Sequence, residues 1–225
     1  MPREALCFDM YGTLCDTSSV TETLGDVLGA TTDLVRAIDR LWRRKQLQYS
    51  YHRGQMEAYV PFWEVTGDAL TYALDFYEVD ADPEERRRIL ESYEHLEPFE
   101  GAVAALEELG DRGHTSVVLS NGNPEMLERL AANAGLAPLL DDLLSADEVG
   151  TFKPGPAVYE NAADRLDRDL RDCRLVSSNA WDVAGASNAG MATAWVNRNR
   201  EPRERLGEEA DLEVRTLASL PEALV

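Results

Sequence analysis

Lysine is nearly missing from this chain of 225 residues. Among 22 basic residues only Lys45 and Lys153 are lysines, and 42 carboxylates leave a formal net charge of −20. Nucleic acid and anionic membrane surfaces repel such a charge and are poor partners. Cysteine is scarce too. Cys7, Cys15 and Cys173 are odd in number and lack metal-like spacing, and Cys7, inside an apolar stretch, reads as buried filler rather than a redox group. His52, His95 and His114 are scattered and match no zinc pattern, which also weighs against a His-based triad. No apolar run approaches the roughly 18 residues needed to span a bilayer. Met1-Pro2-Arg3-Glu4 lacks the basic and apolar regions of a signal peptide. The expectation is a soluble, cytoplasmic protein. Abundant carboxylate with so little lysine fits a halophilic protein, because the Debye length shrinks to about 3 Å in 1 M salt and self-repulsion is relieved. The plain alternative is an acidic protein from an arginine-favouring genome.

Hydrophobic residues make up 44% of the chain, enough for one core or for a core plus a smaller insert. A short apolar strand over residues 4–8 runs into Asp9 and then Met10-Tyr11-Gly12-Thr13-Leu14. Residues 15–97 read as helical. Thr31-Thr32-Asp33 offers caps for a helix through about residue 52, with Leu34, Ile38, Leu41 and Trp42 at helical spacing. A second helix spans about Val60 to Tyr77, and a third opens after Asp82-Pro83 with Glu84 and Glu85 in its first turn. After Pro98 strands and helices alternate: β-rich runs at 115–119, 143–145, 174–176, 193–196 and 212–214, with helices near 100–112, from Pro124 to Gly135, at 156–167 and up to Ala189. That alternation implies an α/β fold, a Rossmann-like and mostly parallel sheet covered on both faces. The core is expected over 1–14 and 98–225, and the helical block 15–97 is expected as a cap inserted over its active end.

Four polar clusters follow strand-like segments: Asp9 with Thr13, Ser120 with Asn121, Lys153, and Ser177-Asn179-Asp182. In a parallel sheet these ends share one edge, where ligands bind. The arrangement resembles the haloacid dehalogenase superfamily over nearly the whole chain. Within it, Phe-Asp-Met-Tyr-Gly-Thr-Leu at 8–14 is similar to the L-2-haloacid dehalogenase family. So are Leu-Trp-Arg-Arg-Lys-Gln-Leu-Gln-Tyr at 41–49, Leu-Ser-Asn-Gly at 119–122, Tyr159 after Lys153-Pro154, and Ser-Ser-Asn-Ala-Trp-Asp at 177–182.

The chemistry of the departures agrees with that resemblance. A phosphatase of this fold carries an acid two residues after its nucleophile, to protonate an alkoxide, and needs carboxylates to hold Mg²⁺ against phosphate. Here Tyr11 takes the acid's place and Asn179 stands where magnesium-dependent relatives carry a carboxylate. Halide leaves without a proton, and a substrate with one carboxylate needs no divalent cation.

The resemblance therefore implies a metal-independent hydrolase of short L-2-haloalkanoic acids, with no cofactor, giving D-2-hydroxy acids through an aspartyl ester. Asp9 would be the nucleophile, steadied by Thr13. Lys153 would pair with Asp9 and Asp182. Asp182 would activate water with Ser177 and Asn179. Ser120 and Asn121, with amides near Met10 and Tyr11, would hold the substrate carboxylate. Arg43 would meet the departing halide. Tyr11, Leu47, Phe62 and Trp181 would wall the alkyl group, and Tyr159 would lie near the lysine.

Each residue also has a structural reading: a strand-end or helix cap for Asp9 and for Ser177, Asn179 and Asp182, a turn for Thr13, Ser120 and Asn121, a surface position for Lys153 and Arg43, and core packing for the apolar set. Relatives of this kind often form homodimers. Three other readings stay open: the same ester chemistry on another carbon–heteroatom bond such as a strained cyclic amino acid, a Mg²⁺-dependent phosphatase, and a non-catalytic relative that binds a small carboxylate or a protein.

Overall fold

A computed structural model describes residues 4–224. Met1 to Arg3, within the tetrapeptide read as lacking a leader, lie outside the described residues. Strand β1 (Ala5–Phe8) is buried at every position and is central in a six-stranded parallel sheet. The other strands are β2 (Thr115–Ser120), β3 (Asp142–Ser145), β4 (Cys173–Ser177), β5 (Ala192–Val196) and β6 (Leu212–Val214), in the order β3-β2-β1-β4-β5-β6. Phe8 lies opposite Val118 on one side and Val176 on the other. The order of connection reverses between β1 and β4, so the crevice where such sheets bind ligands opens beside the residue that follows β1.

Alternation along the strands divides the core into two layers. Leu6, Phe8, Val118 and Val176 pack on one face, against α5 (Ala102–Asp111), α6 (Pro124–Asn133) and α9 (Leu220–Ala223). Ala5, Cys7, Leu119 and Leu175 pack on the other, against α7 (Pro156–Arg165) and α8 (Ala180–Ala189). Cys7, Cys15 and Cys173 are all buried free thiols. Burial on both faces is why these strands are apolar runs rather than alternating ones.

Between β1 and α5 come α1 (Ser18–Leu28), α2 (Thr32–Gln55), α3 (Phe62–Phe76), α4 (Pro83–Glu91) and a 3-10 turn at Ser92–Glu94. The chain leaves and re-enters the sheet region by two adjacent crossings: the Asp16 amide donates to Glu97 O at 2.8 Å, and the Phe99 amide to Leu14 O at 2.8 Å. The Asp82 side chain accepts from the Glu84 and Glu85 amides at 2.8 and 2.9 Å, with Pro83 at the first helical position, so α4 starts where its capping residues demand. The long helix runs three residues past the expected 52, and the second expected helix is trimmed to 62–76 because Pro61 stays extended before it. The Trp42 indole N–H donates to Thr66 O at 2.9 Å and ties α2 to α3. No helix among the described residues is long and apolar enough to cross a membrane.

Candidate active site

The site starts at the end of β1. The Asp9 amide still belongs to the sheet, donating to Val176 O at 3.0 Å, but the chain then turns sharply. Gly12 takes a φ of +80°, a conformation that costs a side-chain-bearing residue energy. The turn brings the Thr13 hydroxyl back to donate to Asp9 Oδ2 at 2.8 Å. The same hydroxyl oxygen accepts the Ser178 amide at 2.9 Å, which couples the loop after β1 to the loop after β4.

From the β4 loop, Asn179 Nδ2 donates to Asp9 Oδ2 at 2.9 Å. Asn179 occupies the N-cap position of α8, yet its side chain makes no capping bond; its amide is committed to the carboxylate instead. The Ser177 hydroxyl oxygen accepts the Asn179 amide at 3.1 Å and so shapes this loop. Asp182, in the first turn of α8, is fully buried. A carboxylate there is favoured by the helix N-terminus.

Lys153 lies between the two carboxylates. Its Nζ is 2.8 Å from Asp182 Oδ2 and 3.5 Å from Asp9 Oδ1, and the residue is only 1% exposed. The peptide bond to Pro154 is cis. Tyr159, from α7, donates its hydroxyl to Asp182 Oδ1 at 2.7 Å. Helix α8 can approach this group closely only because residue 185 is glycine: a Cβ there would sit 2.4 Å from Pro154 Cβ and 2.7 Å from the Tyr159 hydroxyl.

The electrostatics follow from this packing. Burial pushes the Asp9 carboxyl above its usual 3.8; Lys153 pulls it down, the neighbouring Asp182 pushes it up, and Thr13 and Asn179 favour the ionised form. A single exposed ion pair would lower a carboxylate, but burial beside a second carboxylate reverses the sign. Burial also works to strip the Lys153 proton, yet Asp182 and Asp9 outweigh it and hold the ammonium above its usual 10.5. Lys153 is therefore a cation at neutral pH.

A cavity of about 190 Å³ opens on Asp9 and is lined by Tyr11, Arg43, Leu47, Phe62, Ser120, Asn121, Lys153, Asn179 and Trp181 among others. Asn121 Oδ1 accepts the Lys153 amide at 2.8 Å, which leaves its Nδ2 donor for a ligand. Arg43 is held by Asp39 at 2.8 Å and by Thr17 O at 2.8 Å. A wider depression of about 620 Å³ shares Lys153 and Trp181 with it. It does not reach Asp9, so the chemistry belongs to the smaller cavity.

Five of the expected residues stand outside the lining: Met10, Thr13, Tyr159, Ser177 and Asp182. Thr13 is bonded to Asp9, and Asp182 is fully buried behind Lys153 and Tyr159. The Met10 side chain is buried in the core and only its backbone joins the turn, so a role in substrate contact is confined to that backbone. Tyr159 and Ser177 act on other residues of the cluster. Gln46, Tyr93, Met126 and Thr17 line the cavity without having been singled out. Gln46 was legible, one helical turn beyond Arg43. Arg198 was also missed. Its guanidinium donates to Gly12 O, Thr13 O and the Ser178 hydroxyl, and stacks 3.8 Å from the Phe99 ring, clamping both loops that carry the cluster. It sits two residues beyond β5, at the same sheet edge as Asp9, and that position was its signal.

Known proteins resemble this chain over most of its length. Residues 4–190 match the family described as haloacid dehalogenase-like hydrolase. The (S)-2-haloacid dehalogenase 4A of Burkholderia cepacia is 39% identical over 200 residues, covering 89% of this chain and 85% of the relative. The structure of the L-2-haloacid dehalogenase from Xanthobacter autotrophicus superposes with a TM-score of 0.92 at 32% identity, over 99% of this chain and 98% of the other. A second structure of that enzyme, with chloropropionic acid covalently bound, superposes with a TM-score of 0.89 at 32% identity and the same coverage. The chain belongs to the haloacid dehalogenase-like hydrolases, and within them to the L-2-haloacid dehalogenase family.

Proposed function

We propose that this protein hydrolyses short L-2-haloalkanoic acids to D-2-hydroxy acids through an ester on Asp9. The observation that carries this reading is a buried carboxylate facing a small cavity, beside a lysine cation and with a tyrosine where a leaving-group acid would stand. Asp9 attacks the halogen-bearing carbon from the side opposite the halide; the new C–O bond forms as the carbon–halogen bond breaks, inverting the centre. Holding nucleophile and carbon in line accounts for up to roughly 7–11 kcal/mol of barrier lowering. The covalently bound chloropropionic acid in the Xanthobacter relative supports such an intermediate.

Ser120 and Asn121 anchor the substrate carboxylate near the N-terminus of α6, where anions are favoured. Leu47, Phe62, Trp181 and the Tyr11 ring enclose the alkyl group, and Arg43 receives the halide. Water then attacks the ester carbonyl carbon of Asp9, the bond from that carbon to the alcohol oxygen breaks, the departing oxygen takes up the proton that Asp182 has drawn from the water, and the original stereocentre is untouched. Asp182, kept in place by Lys153 and Tyr159, draws the proton from that water. Overall one halide and one proton are released for each water consumed. Among the described residues no group of three His, Cys, Asp or Glu side chains gathers that could hold a metal ion. The two carboxylates present share a lysine instead.

We further infer a cytoplasmic protein adapted to salt, consistent with its net charge of −20. Exposed Tyr72 and Phe76 on α3 give it an apolar stripe for pairing as a homodimer.

The test is a side-by-side screen of L-2-chloropropionate and phosphate monoesters, with and without magnesium and EDTA. The expected product is D-lactate, formed at the same rate in EDTA. Turnover of the phosphate esters alone, or activity lost in EDTA and restored by magnesium, would replace this reading with a phosphatase.

A further inference from the structure

Tyr93 is the cavity residue that the mechanism above leaves unused. It sits in the 3-10 turn Ser92–Glu94, at the end of the inserted block, and is 4% exposed. Its ring is fixed by edge contacts with Trp42 at 5.6 Å and with Tyr11 at 5.7 Å. Its hydroxyl is buried and has no hydrogen-bond partner among the described residues. Gln46 also acts on this phenol, but its Nε2 already donates to Thr66 Oγ1 at 2.7 Å and offers the phenol oxygen a donor, not an acceptor. A buried hydroxyl proton without an acceptor costs stability, and phenylalanine would fill the same space without that cost. The position has a use for the proton.

Arg43 shows what that use is. Its Nε is taken by Asp39 and its Nη2 by Thr17 O, while no bond from Nη1 is found among the described residues. Each of Tyr93 and Arg43 feels the charge of the other, in the direction expected of a phenol and a guanidinium that share one cavity wall. Both line the cavity that opens on Asp9. Burial holds the Tyr93 phenol above its usual 10, so it stays a proton donor through neutral pH. A cation and a neutral O–H carried by two residues that line one cavity, both with donors to spare, make a site for a small anion once the cavity closes around it. The Tyr11 hydroxyl, also unpaired, lies beside Gly122, next to Ser120 and Asn121. It belongs to the carboxylate end rather than to this one.

We propose that the Tyr93 hydroxyl donates a hydrogen bond to the departing halide and forms with Arg43 a two-donor halide site. This rests on the dehalogenase reading given above. As the carbon–halogen bond breaks, its electron pair goes to the halogen, and the developing charge is met by the O–H and the guanidinium without proton transfer. A hydrogen bond from a neutral donor matters most for the halide with the densest charge, so the contribution should fall from chloride to bromide.

The experiment compares wild-type protein with Tyr93→Phe, an isosteric change that removes only the oxygen. Rapid-quench measurement of ester formation with L-2-chloropropionate should show a drop of roughly 10- to 100-fold, the range for a hydrogen bond to a charged group. L-2-bromopropionate should lose less, and hydrolysis of the preformed ester should be unchanged. The inhibition constant of added chloride should rise by a similar factor. Equal losses with both halides, no loss, or an unchanged chloride constant would overturn the proposal while leaving the dehalogenase reading intact. Wild-type protein that forms no ester with either substrate would remove both. Thermal melting is the folding control, and the variant should melt no lower than wild type.

Discussion

Asp9→Asn protein should fold normally and release product at least roughly ten-thousandfold more slowly than wild type, the scale seen when a covalent nucleophile is removed. The amide is nearly the same shape as the carboxylate, and Lys153 keeps Asp182 as its partner at 2.8 Å, so no buried cation is stranded. What disappears is the oxygen that forms the ester. Steady-state assay of D-lactate from L-2-chloropropionate, alongside circular dichroism to show the fold, measures both halves of the expectation. A variant with a tenth of wild-type activity would mean that water attacks the substrate directly and that Asp9 only orients it.

Removing the cation should have the second largest effect, and on stability as well as on rate. Lys153→Met leaves Asp9 and Asp182, 7% and 0% exposed, facing one another without a counter-charge. Breaking a buried charge pair in this way costs roughly 3–5 kcal/mol. Urea unfolding at neutral pH should register that loss. The deficit should shrink in acid, because a carboxyl raised above its unfolded value binds a proton more readily in the folded state, and stability then increases as pH falls.

The wild-type lysine has the same sign in a higher pH window. Its folded value is raised, so its contribution is complete below 10.5 and fades only as pH climbs through the higher folded value. In kinetics, the acid limb of wild-type kcat/KM should lie above 3.8, where Asp9 ionises, and no alkaline limb from Lys153 should appear below 10.5. In Lys153→Met the acid limb should move further up, since the cation paired with Asp9 among the described residues is gone. An acid limb left in place would show that Lys153 does not set the charge of the nucleophile.

Much of the fold was legible because its cues are local. The apolar run before Asp9, Pro83 after Asp82, and Pro124 opening α6 each mark an element boundary that the structure reproduces. The strand-end rule also gathers Asp9, Ser120 and Ser177 at one edge of the sheet, since β1, β2 and β4 are adjacent and parallel. Other features depend on which side chains meet across the fold, and no window of sequence holds that information. Asn179 reads as a helix cap by position, yet its amide goes to Asp9, 170 residues away in the chain. Tyr93 comes from a 3-10 turn with no periodicity to mark its inward face. Gly185 looks like a weak point in a helix until Pro154 and Tyr159 are seen pressed against it. Met10 adjoins the nucleophile in sequence, but the turn sends its side chain into the core.

The central claim is that Asp9 is alkylated and then freed by water attacking its own carboxyl carbon. It is tested most directly by one turnover in ¹⁸O-water, with enzyme in excess over L-2-chloropropionate, followed by mass analysis of peptide and product. The account predicts label in Asp9 and unlabelled D-lactate. Labelled D-lactate with an unlabelled Asp9 would contradict it.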